Sequence, residues 1–195
     1  MGRDNMQALK DRIRRDGKVL PGNIVKVDSF LNHQLDPLLM RDIGNEFHRL
    51  FASEPVTRIL TIESSGIAPA LAAGLAFGVP VVYAKKQISS NMSGSCFSSP
   101  VYSYTRKAMY QVSVSTEYLD KSDHVLIIDD FLATGNALKG LLEIIRQSGA
   151  SLAGIGIVIE KTFQNGGREL RENGLPVVSL AKIRAISDTD VFFDD

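Results

Sequence analysis

Short runs of consecutive apolar residues alternate along the chain with stretches whose apolar positions recur every third or fourth residue. The first pattern marks strands buried on both faces, the second amphipathic helices. Helical spacing appears weakly over 6–15, where Leu9 and Ile13 stand among charges and Gly17 ends the run. Residues 19–32 follow no single period. From Asp36 onward, Leu39, Ile43, Phe47, Leu50 and Phe51 share one helical face, and Pro37 suits a first turn. A buried strand is predicted over 58–62, followed by the turn Glu63-Ser64-Ser65-Gly66 and a helix of small residues over 68–77 that stops at Gly78. Further strands are predicted over 80–84, 124–128, 153–159 and 176–183, with helices over 134–147, ended by Gly149, and 166–173. This alternation predicts an α/β domain, a mostly parallel twisted sheet flanked by helices.

The segment 86–119 breaks the alternation. It carries seven serines between Ser89 and Ser103, with Gly94 and Pro100, and then alternating Tyr102, Tyr104 and Val112, Val114. A loop this long inside a compact domain is either functional or a tolerated insertion. Residues 87–110 read as a mobile loop, with an antiparallel hairpin or edge strand in the second half of the segment.

Composition narrows the classes. The 195 residues suit one domain, with 44% hydrophobic and 23% charged residues, and there is no internal repeat. Lys and Arg total 22 against 22 for Asp and Glu, which leaves no basic footprint for nucleic acid. Cys96 stands alone, so no disulfide forms within the chain and a reducing compartment is expected. Residues 1–9 lack the apolar core of a signal peptide, and Met6 replaces the Ser or Thr of a myristoylation signal. No apolar run reaches the roughly 20 residues of a membrane span. A cytoplasmic protein without a membrane partner is expected.

The most informative stretch is Val125-Leu126-Ile127-Ile128-Asp129-Asp130-Phe131-Leu132-Ala133-Thr134-Gly135-Asn136-Ala137. An apolar strand delivers two carboxylates to its end, and a short loop opens into a helix. Ligands of open α/β sheets bind outside the carboxyl ends of the strands. The unpaired N–H groups that begin a helix favour a phosphate. Thr134 can cap that helix and donate its hydroxyl, while Gly135 allows close approach to an anion. The acids need another partner, for which sugar hydroxyls and hydrated Mg²⁺ are the natural candidates. An isolated Asp-Asp pair would merely end a strand and cap a helix. The whole arrangement, however, resembles the phosphoribosyl pyrophosphate (PRPP) signature of the type I phosphoribosyltransferases. The resemblance implies that Asp129 and Asp130 hold the ribose hydroxyls. It also implies that Ala133, Thr134, Gly135, Asn136 and Ala137 cradle the 5-phosphate.

A second strand end carries Glu63-Ser64-Ser65-Gly66. By the same resemblance Ser64, Ser65 and Gly66 bind pyrophosphate, often through a non-proline cis peptide. Ser65 stands where relatives often carry Arg or Lys, so positive charge has to come from elsewhere; Lys85 and Lys86 are the nearest suppliers. Mg²⁺ is implied as a cofactor carried with PRPP rather than held in a protein cage.

Two stretches bear on the acceptor base. In Glu160-Lys161-Thr162-Phe163, the lysine can donate to an exocyclic oxygen and the phenyl ring can stack on a purine. The polar run 25–34 includes Asn32. Together with VDSFLNHQLDPLLM, TIESSGIAPA and GASLAGIGIVIEKTFQ, these stretches resemble the xanthine-using bacterial branch of the family. The resemblance is weak over 87–110 and the last ten residues. It implies base contacts from Asn32 and Lys161, with backbone help near Val25. It further implies a core over 36–165, a hood from 1–35 and 166–195, and a homodimer in which Lys86 reaches the neighbouring site. Ala133 stands where many 6-oxopurine enzymes have Asp, so the general acid/base is unassigned. Guanine, hypoxanthine and adenine remain open as alternative bases, as does a non-catalytic PRPP sensor. The Gly-rich turn of a dehydrogenase is missing after the first strand.

Overall fold

The computed structural model describes residues 6–86, 95–103 and 108–194. In chain order the elements are α1 (Gln7–Asp16), β1 (Lys18–Leu20), β2 (Ile24–Lys26), a π-helical turn (Asp28–Asn32), α2 (Pro37–Leu50), β3 (Arg58–Ile62), α3 (Ile67–Phe77), β4 (Val81–Ala84), β5 (Cys96–Ser103), β6 (Ala108–Ser115), β7 (His124–Leu132), α4 (Asn136–Ser148), β8 (Ser151–Lys161), α5 (Gly166–Glu172), β9 (Val177–Ile186) and β10 (Val191–Phe193).

The main sheet has the order β10-β9-β8-β7-β3-β4. All its pairs are parallel except β10 on β9. After β3 the chain winds outward to β4, whereas after β7 it winds the opposite way to β8 and β9. The winding direction therefore reverses between β3 and β7, where an open sheet leaves a crevice at its carboxyl edge.

Two apolar layers hold the sheet. One is built by α1, α2 and α3, with Leu9, Ile43, Phe47 and Ala73 buried against Ile59, Leu126 and Ile128. The other is built by α4 and the β5–β6 hairpin, with Leu141, Ile144 and Val112 buried against Leu60 and Ile127. Asp36 caps α2 by accepting from the N–H groups of Leu38 and Leu39, and Pro37 takes the first turn. Gly44 lets α2 meet α3 closely, because a Cβ there would press on the Ala72 carbonyl.

Several boundaries differ from those the sequence pattern predicts. Strand β7 continues four residues beyond Ile128, to Leu132, so Asp129 and Asp130 lie inside the strand rather than past its end. Pairing causes the extension: Asp129, Phe131 and Leu132 stay in register with Ile157, Ile159 and Glu160 of β8. The unplaced stretch 19–32 becomes an antiparallel β1–β2 hairpin and the π turn, both too short for a period to emerge.

The hairpin expected in the second half of 86–119 is present, but it starts earlier. Residues 96–103 and 108–110, assigned above to the mobile loop, are paired strand residues of β5 and β6. Residues 87–94 and 104–107 lie outside the described residues. The hairpin is tied to α4 by reciprocal hydrogen bonds between Gln147 and the Ser98 backbone, and to the end of β4 by two backbone bonds between Lys85 and Ser113.

Residues 166–195, expected in the hood, contribute a full strand of the main sheet, because β9 pairs along β8 from Val177 to Ile183. It is the turn after β9 that meets the N-terminal hairpin. Ile186, Ser187 and Asp188 line a cavity of about 270 Å³ with Val19, Leu20 and Asn23.

Candidate active site

The carboxyl ends of β3, β7 and β8 lie side by side, and each delivers one part of the site. On β7, Val125 and Ile127 join the α4 layer while Leu126 and Ile128 join the α2 layer. Past the acids the phases are exchanged: Phe131 packs on the α2 side and Leu132 on the α4 side. The period-2 alternation thus slips by one across Asp129 and Asp130, which occupy the place where the strand changes face. Both are buried, at 4% and 7% exposure. Asp129 Oδ1 accepts from the Asp130 N–H at 3.0 Å. Burial above all, then the like charge of Asp130, pushes the Asp129 carboxyl well above the ordinary carboxylate range, and the Lys86 charge offsets only part of this. A cation or hydroxyl donors placed beside it would favour its ionised form.

Beyond Leu132 the chain turns through Ala133 and Thr134 into Gly135, which holds the N-cap position of α4 at φ +78°. Thr134, expected to cap α4, lies one residue before the cap, and no side chain caps the helix. The left-handed backbone at Gly135 moves the helix start to Asn136 and leaves the Thr134 hydroxyl uncommitted to the helix. The first intrahelical bond runs from Lys139 N to Gly135 O at 3.0 Å. The N–H groups of Asn136, Ala137 and Leu138 therefore come before that bond, as an anion cradle requires. The Asn136 side-chain amide donates to the Tyr102 carbonyl at 3.4 Å.

On β3 the turn after Ile62 contains a cis peptide between Glu63 and Ser64. Ser64 is exposed, Ser65 half-buried and Gly66 buried. Glu63 Oε1 accepts the backbone N–H of Lys86 at 2.5 Å, which fixes the end of β4 to this turn. Lys86 is exposed, with Nζ 5.7 Å from the Tyr110 ring centroid, and its charge acts on Asp129 of its own chain. Lys85 is half-buried and held by its backbone to Ser113.

On β8, Lys161 Nζ donates to the Asn23 carbonyl at 2.9 Å and stands 5.8 Å from the Phe131 ring centroid. Burial lowers its pKa from the ordinary lysine value. Its neighbour Glu160, 2% exposed, forms a two-bond ion pair with Arg171 at 2.7 and 2.6 Å and also accepts from the Ser179 hydroxyl. Burial alone would raise the Glu160 carboxyl; Arg171, Ser179 and Lys182 together hold it below its usual value. Phe163 is 38% exposed beyond the strand. Asn32 is exposed at the end of the π turn, and the Val25 side chain is buried in the α2 layer, leaving only its backbone to serve a ligand.

A Cβ on Gly66 would stand 2.7 Å from Asp129 Oδ1, so the structure joins this turn to the β7 acid, and it joins Lys161 to the N-terminal hairpin, while Asn32 and Phe163 are delivered by separate elements. Sequence reasoning missed Asn23, Phe131 and Gly166. Asn23 sits at φ +59° in a Pro-Gly-Asn turn, a signal that marks a turn but not what its carbonyl will meet. Gly166 opens α5 and donates to the Ala133 carbonyl at 3.1 Å. The Gly166-Gly167 pair was its only mark in the sequence.

Comparison with known proteins agrees with this geometry. The phosphoribosyl transferase domain family matches residues 27–193. A xanthine phosphoribosyltransferase of Finegoldia magna is 52% identical over 97% of this chain and 100% of its own. That of Latilactobacillus sakei is 54% identical over 97% of each chain, and that of Listeria monocytogenes 53% over 96% of this chain and 98% of its own. Among solved structures, adenine phosphoribosyltransferase of Thermoanaerobacter pseudethanolicus superposes with a TM-score of 0.76 at 18% identity, covering 91% of this chain and 99% of that one. The Trypanosoma brucei adenine enzyme, solved with AMP, pyrophosphate and ribose-5-phosphate, gives 0.76 at 22% identity, covering 93% and 82%. The adenine enzymes share the fold, the type I phosphoribosyltransferase fold, while the half-identical full-length relatives carry the lineage. With two buried acids on β7, a loop that Gly135 opens into α4, and a family match over residues 27–193, this chain belongs to the phosphoribosyltransferase family.

Proposed function

We propose that this chain is a purine salvage enzyme, a xanthine phosphoribosyltransferase. It transfers the phosphoribosyl group of PRPP to a ring nitrogen of xanthine, giving xanthosine 5'-monophosphate and pyrophosphate. The observation that carries the transfer is the meeting of three ligand-ready features at the switch between β3 and β7. Two acids suit ribose hydroxyls, the start of α4 suits a 5-phosphate, and the small-residue turn after β3 suits a pyrophosphate. The choice of xanthine rests on the relatives above and on the half-buried ammonium of Lys161 at the base end.

In this reading Ala133, Thr134, Gly135, Asn136 and Ala137 hold the 5-phosphate, and Asp129 and Asp130 orient the ribose. Ser64, Ser65 and Gly66 receive the pyrophosphate, with Lys85 and Lys86 supplying charge. The base nitrogen forms a bond to the anomeric carbon as the carbon–oxygen bond to pyrophosphate breaks. Positioning and charge stabilisation dominate such a displacement. Lys161 orients the base from one side, with Asn32, Phe163 and the Val25 backbone as further contacts. Phosphoribosyltransferases generally use Mg²⁺ with PRPP. In this reading the cation arrives with PRPP; among the described residues no group of three or more His, Cys, Asp or Glu could hold a metal ion. Mg²⁺ typically binds through one or two carboxylates plus substrate phosphates, and Asp129 and Asp130 would be those carboxylates. When bound, it would neutralise charge on the leaving pyrophosphate.

A homodimer in the cytoplasm completes the reading. Leu38, Leu71 and Leu75 of α2 and α3 are exposed, apolar surface of the kind a subunit contact covers. Among the described residues no helix is long and apolar enough to cross a membrane. The test of substrate is nucleotide formation from xanthine, guanine, hypoxanthine and adenine, each with PRPP and Mg²⁺. Xanthine is expected to give the highest kcat/KM. A faster reaction with another base would overturn the substrate, and no nucleotide from any base would overturn the activity.

A further inference from the structure

We infer that Gly166, at the start of α5, is a positioning residue for the loop 133–137, setting its shape from behind. This rests on the reading of that loop as the 5-phosphate cradle. The contact is backbone on backbone: Gly166 N donates to the Ala133 carbonyl at 3.1 Å. A Cβ on Gly166 would stand 2.5 Å from that carbonyl oxygen and 2.6 Å from Gly135 N. From the other side, a Cβ on Gly135 would stand 3.4 Å from Gly166 Cα. Two glycines from distant parts of the chain therefore lie face to face, with no side chain between them.

The bond also orients the cradle. It engages the Ala133 carbonyl with α5, while the N–H groups at the start of α4 precede the first intrahelical bond. An acceptor aimed at a phosphate would repel it, so where this carbonyl points matters to anion binding.

Helix α5 is itself held on two sides. The Glu160–Arg171 ion pair fixes it to β8, and Gly167 fits beneath that pair, because a Cβ there would collide with Glu160 Oε1 and lie 2.8 Å from Arg171 Nη1. Glu169 pairs with Lys139 of α4 at 2.8 Å, tying α5 to the helix that the cradle opens. Buttress and cradle thus form one backbone unit, and the cradle's shape depends on Gly166 having no side chain.

The test compares ligands that engage opposite ends of the site, by calorimetry on the full chain. Ribose 5-phosphate probes the cradle and inorganic pyrophosphate probes the β3 turn. Gly166→Ala is expected to weaken ribose 5-phosphate tenfold or more while pyrophosphate stays within twofold of wild type. Equal weakening of both ligands would mean general loosening and would overturn the inference, as would unchanged affinity for both. Thr134→Ala separates this from the cradle reading itself. If Thr134→Ala weakens ribose 5-phosphate and Gly166→Ala does not, the buttress falls and the cradle stands; if neither has an effect, both fall. Should Gly166→Ala not fold, Glu169→Ala removes the acceptor of Lys139 and so cuts only an exposed tie of α5. It is expected to weaken ribose 5-phosphate two- to fivefold with pyrophosphate unchanged, and no change in either overturns the inference.

Discussion

Gly66, in the turn after β3, meets Asp129 within β7: a Cβ on Gly66 would stand 2.7 Å from Asp129 Oδ1 and closer still to Thr61 Oγ1. The turn proposed for pyrophosphate and the acid proposed for ribose are thus in direct contact. PRPP demands this, since its pyrophosphate is bonded to the ribose itself. Gly66→Ala has to displace Asp129, the turn or the fully buried Thr61 side chain. Displacements of this order cost catalysis about a hundredfold. We expect kcat/KM for PRPP to fall by about that factor, read by steady-state kinetics. A loss below about threefold would mean that the contact carries no catalytic geometry.

Asp129 should burden the fold that it serves. Its folded pKa lies above the ordinary 3.8, chiefly through burial, so the folded chain binds a proton more readily than the unfolded one. Ionised Asp129 therefore destabilises the fold at pH values above the raised pKa, and the burden fades as the pH falls toward 3.8. Asparagine can still accept from the Asp130 N–H but never ionises. Asp129→Asn should melt a few degrees above wild type at pH 8, with the gain vanishing near pH 4 and activity lost throughout. Thermal melts across that range check the sign. A gain independent of pH would assign the burden to something other than charge.

Much of this site was legible in the sequence because it depends on local order along the chain. The acids, Thr134, Gly135 and the turn 63–66 fall in two short runs of sequence, and a strand-loop-helix pattern locates them without knowledge of the sheet order. What could not be read depends on elements distant in sequence. Strand β7 runs to Leu132 because β8 is there to pair with it, and Asn23 matters because its carbonyl meets Lys161, 138 residues away. Likewise, a Gly-Gly pair opening a short helix has no visible partner until α5 is laid against the loop 133–137. Hydrophobic period reports burial, and it is silent on which backbone faces which.

Gly135 offers a direct test of the cradle. At φ +78° it adopts a conformation that β-branched side chains avoid, and its missing side chain leaves room for Gly166. Gly135→Val should abolish measurable PRPP binding by calorimetry. Because the strain falls at the first residue before α4, melting should drop by only a few degrees. Unaltered affinity would make the loop a helix start and nothing more.

The proposed base end turns on Lys161. Its ammonium is held by the Asn23 carbonyl and the Phe131 face, and burial lowers its pKa, so an acceptor or an anion placed beside it would favour the charged form. Xanthine offers a carbonyl at the purine 2-position, where guanine has an amine and hypoxanthine only hydrogen. A charged donor facing an amine leaves two donors opposed, which costs about 1–3 kcal/mol per unsatisfied group. That amounts to about a ten- to hundredfold preference for xanthine over guanine, enough to define a substrate. Lys161→Met keeps the length and removes the charge and the donor. We expect kcat/KM for xanthine to fall by about that factor, with hypoxanthine, which offers no 2-oxygen, falling far less. The Asn23 carbonyl would also lose its partner, so the N-terminal hairpin should loosen, and that effect should weigh on every base alike. Steady-state kinetics with both bases separates the two effects. If one common factor describes all bases, Lys161 anchors the hairpin and does not choose the substrate.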